Sequence, residues 1–351
     1  MLRIDTKQLE SVMFECVRGL MIRPKGILAA DESLPTIAKR FESVDMPNSE
    51  ETRRRYREML LVTGGLQEFI SGVILFDETA RQTSANGTSF IRLLEKVGII
   101  PGIKVDAGLL PIRSSDTEDV TCGFDGLPER LTEYVQMGLR FAKWRSVFRI
   151  GPGLPSDFAI DANAIGLAQY ASCCQGAGLV PIVESEVLLD GDHSLADSMR
   201  VMIHVLTEVV RRLEQAKVRL DLTIVKTGMA TRGSTSKVEI QESVGAATAR
   251  VLSETLPATI GGVVFLSGGM SELDATRNFN EFSQFGSYPW PVSFSFGRAL
   301  QNSALKRWAS DPSRFAEARA ELLNRARMNS LARMGDWSPG EESADDGLTR
   351  K

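Results

Sequence analysis

Apolar residues in this chain gather in short runs, with longer amphipathic stretches between them. Eight runs recur at intervals of about 30 to 45 residues: 26–31, 70–77, 100–106, 139–148, 179–187, 220–226, 261–267 and 292–298. The stretches between them change period. In 194–218, Leu195, Met199, Met202, Val205, Leu206, Val209 and Leu213 fall three and four residues apart, which predicts a helix with one buried face. Segments 161–176, 236–256, 52–61 and 313–334 read as helices for the same reason. Segment 108–126 lacks a clear period and carries Ser114, Ser115, Asp116 and Thr117, so a long loop is expected there.

Strand and helix in regular alternation predict an α/β fold built on a parallel sheet, and eight such units close into a single (β/α)8 TIM barrel. A helical extension precedes the first run. We expect one barrel domain over 1–335 and a mobile tail over 336–351, where Asp, Glu, Ser and Gly make the chain too polar to pack.

Composition sharpens this picture. With 43% hydrophobic and 25% charged residues among 351, the chain can bury a large core, so intrinsic disorder is excluded as its main character. A formal net charge of -4 gives a field that repels nucleic acid and anionic membrane, so an anionic metabolite would need local cations. No apolar stretch approaches a membrane span, and Arg3, Asp5, Lys7, Glu10, Glu15 and Arg18 interrupt any secretory pattern at the start. Cys16, Cys122, Cys173 and Cys174 lack metal-type spacing, which suggests reduced thiols and a cytoplasmic setting. Two histidines, His193 and His204, are too few for a zinc site, and no metal or cofactor is expected. The basic run Arg53-Arg54-Arg55-Tyr56-Arg57 reads as a solvated helix face paired with acidic neighbours.

The runs end in polar side chains: Asp31, Asp77, Lys104 with Asp106, Lys143 with Arg145, Glu184 with Glu186, Lys226, Ser267 and Arg298. A parallel barrel gathers such ends at its carboxyl-terminal face. Lys226 closes an apolar strand, where a desolvated amine loses part of its preference for the charged form and becomes a nucleophile toward carbonyl carbon. A nearby Lys143 would lower its proton affinity further by like-charge repulsion. Glu184 and Glu186 flank Ser185 on one strand, so both point to the same side. Amine and carboxylates together suit aldol chemistry through an imine, which needs a nucleophile and groups to move protons. Taken singly, each has a plainer reading: a snorkelling lysine, salt-bridged glutamates, an aspartate capping a helix. Small residues at Ser267 and Gly268, and Gly297 with Arg298 on the next unit, suggest one phosphate site after the seventh and eighth strands. Ser33, Thr36 and Lys104 suggest a second one.

Seven segments, in order along the chain, resemble class I fructose-1,6-bisphosphate aldolases: Gly26-Ile-Leu-Ala-Ala-Asp-Glu-Ser33, Gly72-Val-Ile-Leu-Phe76, Gly102-Ile-Lys-Val-Asp106, Phe141-Ala-Lys-Trp-Arg145, Pro181-Ile-Val-Glu-Ser-Glu186, Leu266-Ser-Gly-Gly269 and Phe294-Ser-Phe-Gly-Arg-Ala-Leu-Gln301. The resemblance implies reversible cleavage of fructose 1,6-bisphosphate to dihydroxyacetone phosphate and glyceraldehyde 3-phosphate. A homo-oligomer, usually a tetramer, and the absence of a metal are implied with it. By the same resemblance, Lys226 forms the Schiff base, Glu184 shuttles protons and Asp31 handles the C4 hydroxyl, with Lys143 and Glu186 in support. Ser267, Gly268, Gly297 and Arg298 correspond to one phosphate site, and Ser33, Thr36, Lys104 and Arg145 to the region of the other. This chain departs from the pattern in two places. It ends in Lys351 where animal members have a tyrosine, and Leu34-Pro35 replaces the usual Thr-Gly. Two alternatives remain open on the residues alone: a phosphosugar-binding protein without turnover, and another imine-forming barrel enzyme such as a transaldolase, which would need one phosphate site.

Overall fold

Each of the eight apolar runs contains a strand in the computed structural model, which describes residues 6–343 except 116, 240 and 312. In chain order the strands are β1 Gly26–Ala30, β2 Ile70–Leu75, β3 Ile100–Lys104, β4 Gly108–Pro111, β5 Asp119–Cys122, β6 Phe141–Phe148, β7 Val180–Val187, β8 Ile224–Thr227, β9 Gly262–Phe265 and β10 Val292–Phe296. Eight of them form a closed barrel in the order β1, β10, β9, β8, β7, β6, β3, β2, and all neighbours run parallel. Nearly every barrel-strand residue is buried, because a parallel barrel is covered inside and out. This explains why the runs are continuously apolar.

Two cores result from the alternation of side chains. The outer one lies between the strands and the surrounding helices. The inner one joins Ile27, Ala29, Ile74, Phe141, Val180, Ile182, Ile224 and Val264 to Met13, Cys16, Val17, Leu20 and Met21 from the amino-terminal helix Thr6–Leu20 and the residue after it. That helix stoppers the amino-terminal end of the barrel. The close approach needs bare backbone at two positions: a Cβ at Gly72 would lie 2.4 Å from Leu20 Cδ2, and one at Gly262 would lie 2.8 Å from Met21. The amino-terminal end is therefore filled, and the polar strand ends sit at the other.

The expected helices form with shifted ends. Leu195–Gln215 starts at a capping box of Ser194 and Asp197, and Phe315–Met334 ends at Gly335 in the left-handed conformation. The helix expected from 236 begins only at Val244, capped by Ser243. Four other expectations need correction or limit. Leu220–Leu222 is a 3-10 turn instead of strand, because Gln175 Nε2 takes the Arg219 carbonyl at 2.8 Å and Asp221 turns out to pair with Arg219. Lys226 is consequently followed by one more strand residue, Thr227. The expected loop 108–126 contains the antiparallel ribbon of β4 and β5, fastened by Asn163 to the backbone of Thr121 and Asp119. The first part of the expected mobile tail is packed: Trp337 is buried, Pro339–Ser343 is helical, and Glu342 accepts from Arg325 at 2.7 Å. Residues 344–351 of that tail lie outside the described residues.

Candidate active site

Strand alternation and barrel order decide which side chains meet. On β1 the inward series Ile27, Ala29 continues to Asp31; on β6 it runs from Phe141 to Lys143; on β7 from Ile182 to Glu184 and Glu186; on β8 from Ile224 to Lys226. Glu184 and Lys226 are register partners across β7 and β8, so they stand side by side at one height. In the ring of eight strands, β1 and β7 are four apart and face each other.

Lys143 spans that gap. Its Nζ lies 2.7 Å from Asp31 Oδ2 and 3.1 Å from Glu184 Oε2. The second contact is one of charge, since Glu184 Oε2 has no aligned hydrogen-bond donor. Glu184 Oε1 lies 3.2 Å from Lys226 Nζ. Asp31, Lys143, Glu184 and Lys226 are all buried, with Lys226 only 3% exposed. The cluster therefore alternates in sign: carboxylate, ammonium, carboxylate, lysine.

Electrostatics follow from this order. Burial pushes the Asp31 carboxyl up, but Lys143 above all, then Lys226 and Lys104, outweigh it and bring it down to about 2. Burial opposes ionisation of Glu184 too, yet Lys143, Lys226 and Arg145 hold it below the usual carboxylate range. For Lys143, burial disfavours the charge and is overcome by Asp31, Glu184 and Asp106, so its ammonium is held above the usual range. A carboxylate, Glu184, stands between Lys143 and Lys226 and is shared by both.

A second layer rims the cluster. Arg145 Nε donates to Glu186 Oε2, and its side chain is 36% exposed. Lys104 Nζ lies 2.5 Å from Asp106 Oδ1, and the other oxygen of Asp106 accepts from the backbone of Arg145 at 3.3 Å. Asp106 thus ties β3 to β6. Its position at the end of the third apolar run is the signal for it in the sequence.

The two expected anion regions take different forms. Ser267 is buried, Gly268 has φ +51°, and Arg298 donates to the Gly268 carbonyl, so the segments after β9 and β10 are joined. Gly297 precedes the helix Arg298–Ser310 and packs against β1, where a Cβ would lie 3.3 Å from Ala29 O. On the other side, Ser33 Oγ and Thr36 Oγ1 are 3.0 Å apart at the start of the helix Leu34–Glu42, which accommodates Pro35 in its first turn. Lys104 lies two strands from β1, across β2. Among the described residues, no group of three or more His, Cys, Asp and Glu is placed to hold a metal ion, and no helix is long and apolar enough to cross a membrane.

A closed eight-stranded parallel barrel with lysines and carboxylates converging at its carboxyl-terminal mouth defines a TIM-barrel enzyme. Residues 13–349 match the sequence profile described as fructose-bisphosphate aldolase class-I. The chain belongs to the class I fructose-bisphosphate aldolase family and is a carbon-carbon lyase. Its relatives agree. The probable fructose-bisphosphate aldolase class 1 of Xylella fastidiosa is 46% identical over 325 residues, which cover 92% of this chain and 97% of that one. Fructose-bisphosphate aldolase 6, cytosolic, of Arabidopsis thaliana is 45% identical over 326 residues, covering 92% and 91%. A solved structure of Plasmodium falciparum fructose-bisphosphate aldolase, in complex with TRAP and a small-molecule inhibitor, superposes with a TM-score of 0.93 at 45% identity, covering 95% and 97%.

Proposed function

We propose that this enzyme cleaves fructose 1,6-bisphosphate through a Schiff base on Lys226. The observation that carries this reading is the buried Lys226 Nζ held 3.2 Å from Glu184 Oε1 in a cluster that also contains Asp31 and Lys143. An attacking amine must first lose its proton, and the resulting carbinolamine must lose its hydroxyl as water. Glu184 is within reach of both transfers. As the C3–C4 bond breaks, its electrons pass into the iminium to form an enamine, and the C4 hydroxyl proton leaves to a base. Asp31 is ionised in this site and serves as that base. Glyceraldehyde 3-phosphate departs; protonation at C3 and hydrolysis then release dihydroxyacetone phosphate and return the lysine. In the resting site Lys143 keeps both carboxylates charged and ready to accept a proton, and Glu186 orients Arg145.

Ser267, Gly268, Gly297 and Arg298 hold one phosphate in this reading. Ser33, Thr36, Lys104 and Arg145 surround the other. The reaction is reversible and serves glycolysis and gluconeogenesis in a cytoplasmic homo-oligomer, for which light scattering is expected to give the mass of a tetramer. Borohydride added with dihydroxyacetone phosphate is expected to leave a permanent adduct on Lys226, located by peptide mass. An unmodified Lys226 after full exposure refutes the Schiff base. Lys226→Met should abolish turnover with the fold retained, and Glu184→Gln should slow imine formation by about 10²-fold or more. Activity should persist in EDTA.

A further inference from the structure

Glu32 follows Asp31 directly and turns the opposite way, out of the barrel and into a set of charged groups that the chemistry above does not use. Arg40 of the helix Leu34–Glu42 donates to Glu32 Oε1, and Arg57 of the helix Glu50–Leu61 donates to Oε2 at 2.6 Å. Both guanidiniums are secluded: the side chains of Arg40, Arg57 and Glu32 are 10%, 3% and 11% exposed. Arg40 also reaches Gln301 Oε1 at 2.9 Å, which accepts from Tyr56 OH at the same distance. The amide of Gln301, itself fully buried, donates to the Ala29 carbonyl at 2.6 Å. Burial opposes the charge on Glu32, but Arg57 and Arg40 keep its carboxyl low, so it faces them as an anion.

The network therefore grips the chain on both sides of Asp31, at Ala29 before it and Glu32 after it. Its anchors are the helix that begins in the Ser33–Thr36 region, the next helix, and the helix that starts at Arg298. We propose that Glu32, clamped by Arg40 and Arg57 and linked through Gln301 to Ala29, is a positioning residue that fixes the backbone carrying Asp31 against Lys143. The proposal rests on the assignment of Asp31 to the C4 hydroxyl. An oxygen that must meet one particular hydroxyl is sensitive to displacements of about 1 Å, which cost on the order of 10²-fold in rate. Imine formation with dihydroxyacetone phosphate involves Lys226 and Glu184 and breaks no C3–C4 bond, so it should be indifferent to that displacement.

The test compares the two half-reactions in Glu32→Gln. Cleavage of fructose 1,6-bisphosphate should lose about tenfold or more in kcat with KM within about threefold, while borohydride trapping of dihydroxyacetone phosphate on Lys226 stays within about twofold of the parent. Arg57→Met should repeat that split and Arg57→Lys should largely restore cleavage. If Glu32→Gln does not fold, Glu32→Asp carries the same comparison, since it keeps the charge and draws it back by one methylene. Parental cleavage in Glu32→Gln overturns the proposal, as does an equal loss of cleavage and trapping, which would mark a general structural defect. Asp31→Asn separates the two readings. Parental cleavage in that variant overturns the assignment of Asp31 and the role of Glu32 with it, whereas a large loss there beside parental rates in Glu32→Gln overturns the role of Glu32 alone.

Discussion

Lys143 holds two buried carboxylates from opposite walls of the barrel, and removing it would leave both without their nearest cation. Lys143→Met is therefore expected to lower stability by about 3 to 5 kcal/mol, read from urea unfolding, and to cost activity as well. An unchanged midpoint would show that the carboxylates find other partners. Asp31 gives a sign for pH dependence. Its folded value, about 2, lies below the ordinary 3.8, so its stabilising contribution is complete above roughly pH 4 and is lost as pH falls through about 2. Asp31→Asn should flatten that acid limb of the unfolding midpoint; an identical limb in both proteins would contradict the ion pair. At this scale the sequence singled out residues that meet in the structure, without their pairing. Lys226, Glu184, Asp31 and Lys143 stood out as charged ends of apolar runs. That Glu184 sits between the two lysines depends on the register of β7 against β8 and on the proximity of β6, which no local pattern encodes.

The elements were legible in proportion to their burial. Eight strands could be located because a parallel barrel buries both faces of each, leaving continuous apolar runs. The ribbon of β4 and β5 left no such trace, since Leu109 and Leu110 are exposed and the hold on it comes from Asn163, far along the chain. The Leu220–Leu222 turn is hidden in the sequence for the converse reason, because its two leucines continue the apolar run in which Asp221 sits. Two arginines of the helix Glu50–Leu61 behave as their pattern suggested, Arg53 pairing with Glu78 and Arg54 with Glu51 and Glu58, whereas Arg57 of the same run is buried and pairs inward with Glu32. The amino-terminal helix shows what an element contributes as a unit. Leu20 is fully buried within the inner core, so Leu20→Ala should cost about 2 to 5 kcal/mol in urea unfolding while leaving kcat near the parental value. A large loss of kcat without destabilisation would mean that this end of the barrel communicates with the mouth.

The whole molecule is fastened by groups distant in sequence. Arg333, near the end of the last long helix, is buried and donates to the carbonyls of Met21, Ile22 and Val292 at 2.6, 2.7 and 2.7 Å, and also to that of Lys25. It joins the stopper helix, the approach to β1 and the start of β10. Arg333→Met would strand several buried carbonyls and should destabilise the fold by about 2 kcal/mol or more, with borohydride trapping on Lys226 intact in the folded protein. Equal stability in the variant would remove Arg333 from this role. Hydrophobic periodicity settled the class of fold, the order of its strands along the chain and the polar residues at their ends, because burial and backbone period act locally. Closure of the ring settled which of those ends face one another, that two lysines share Glu184, and which partners Glu32, Gln301 and Arg333 find. Those are contacts between segments up to some 310 residues apart, and their energies exist only once the chain has folded around them.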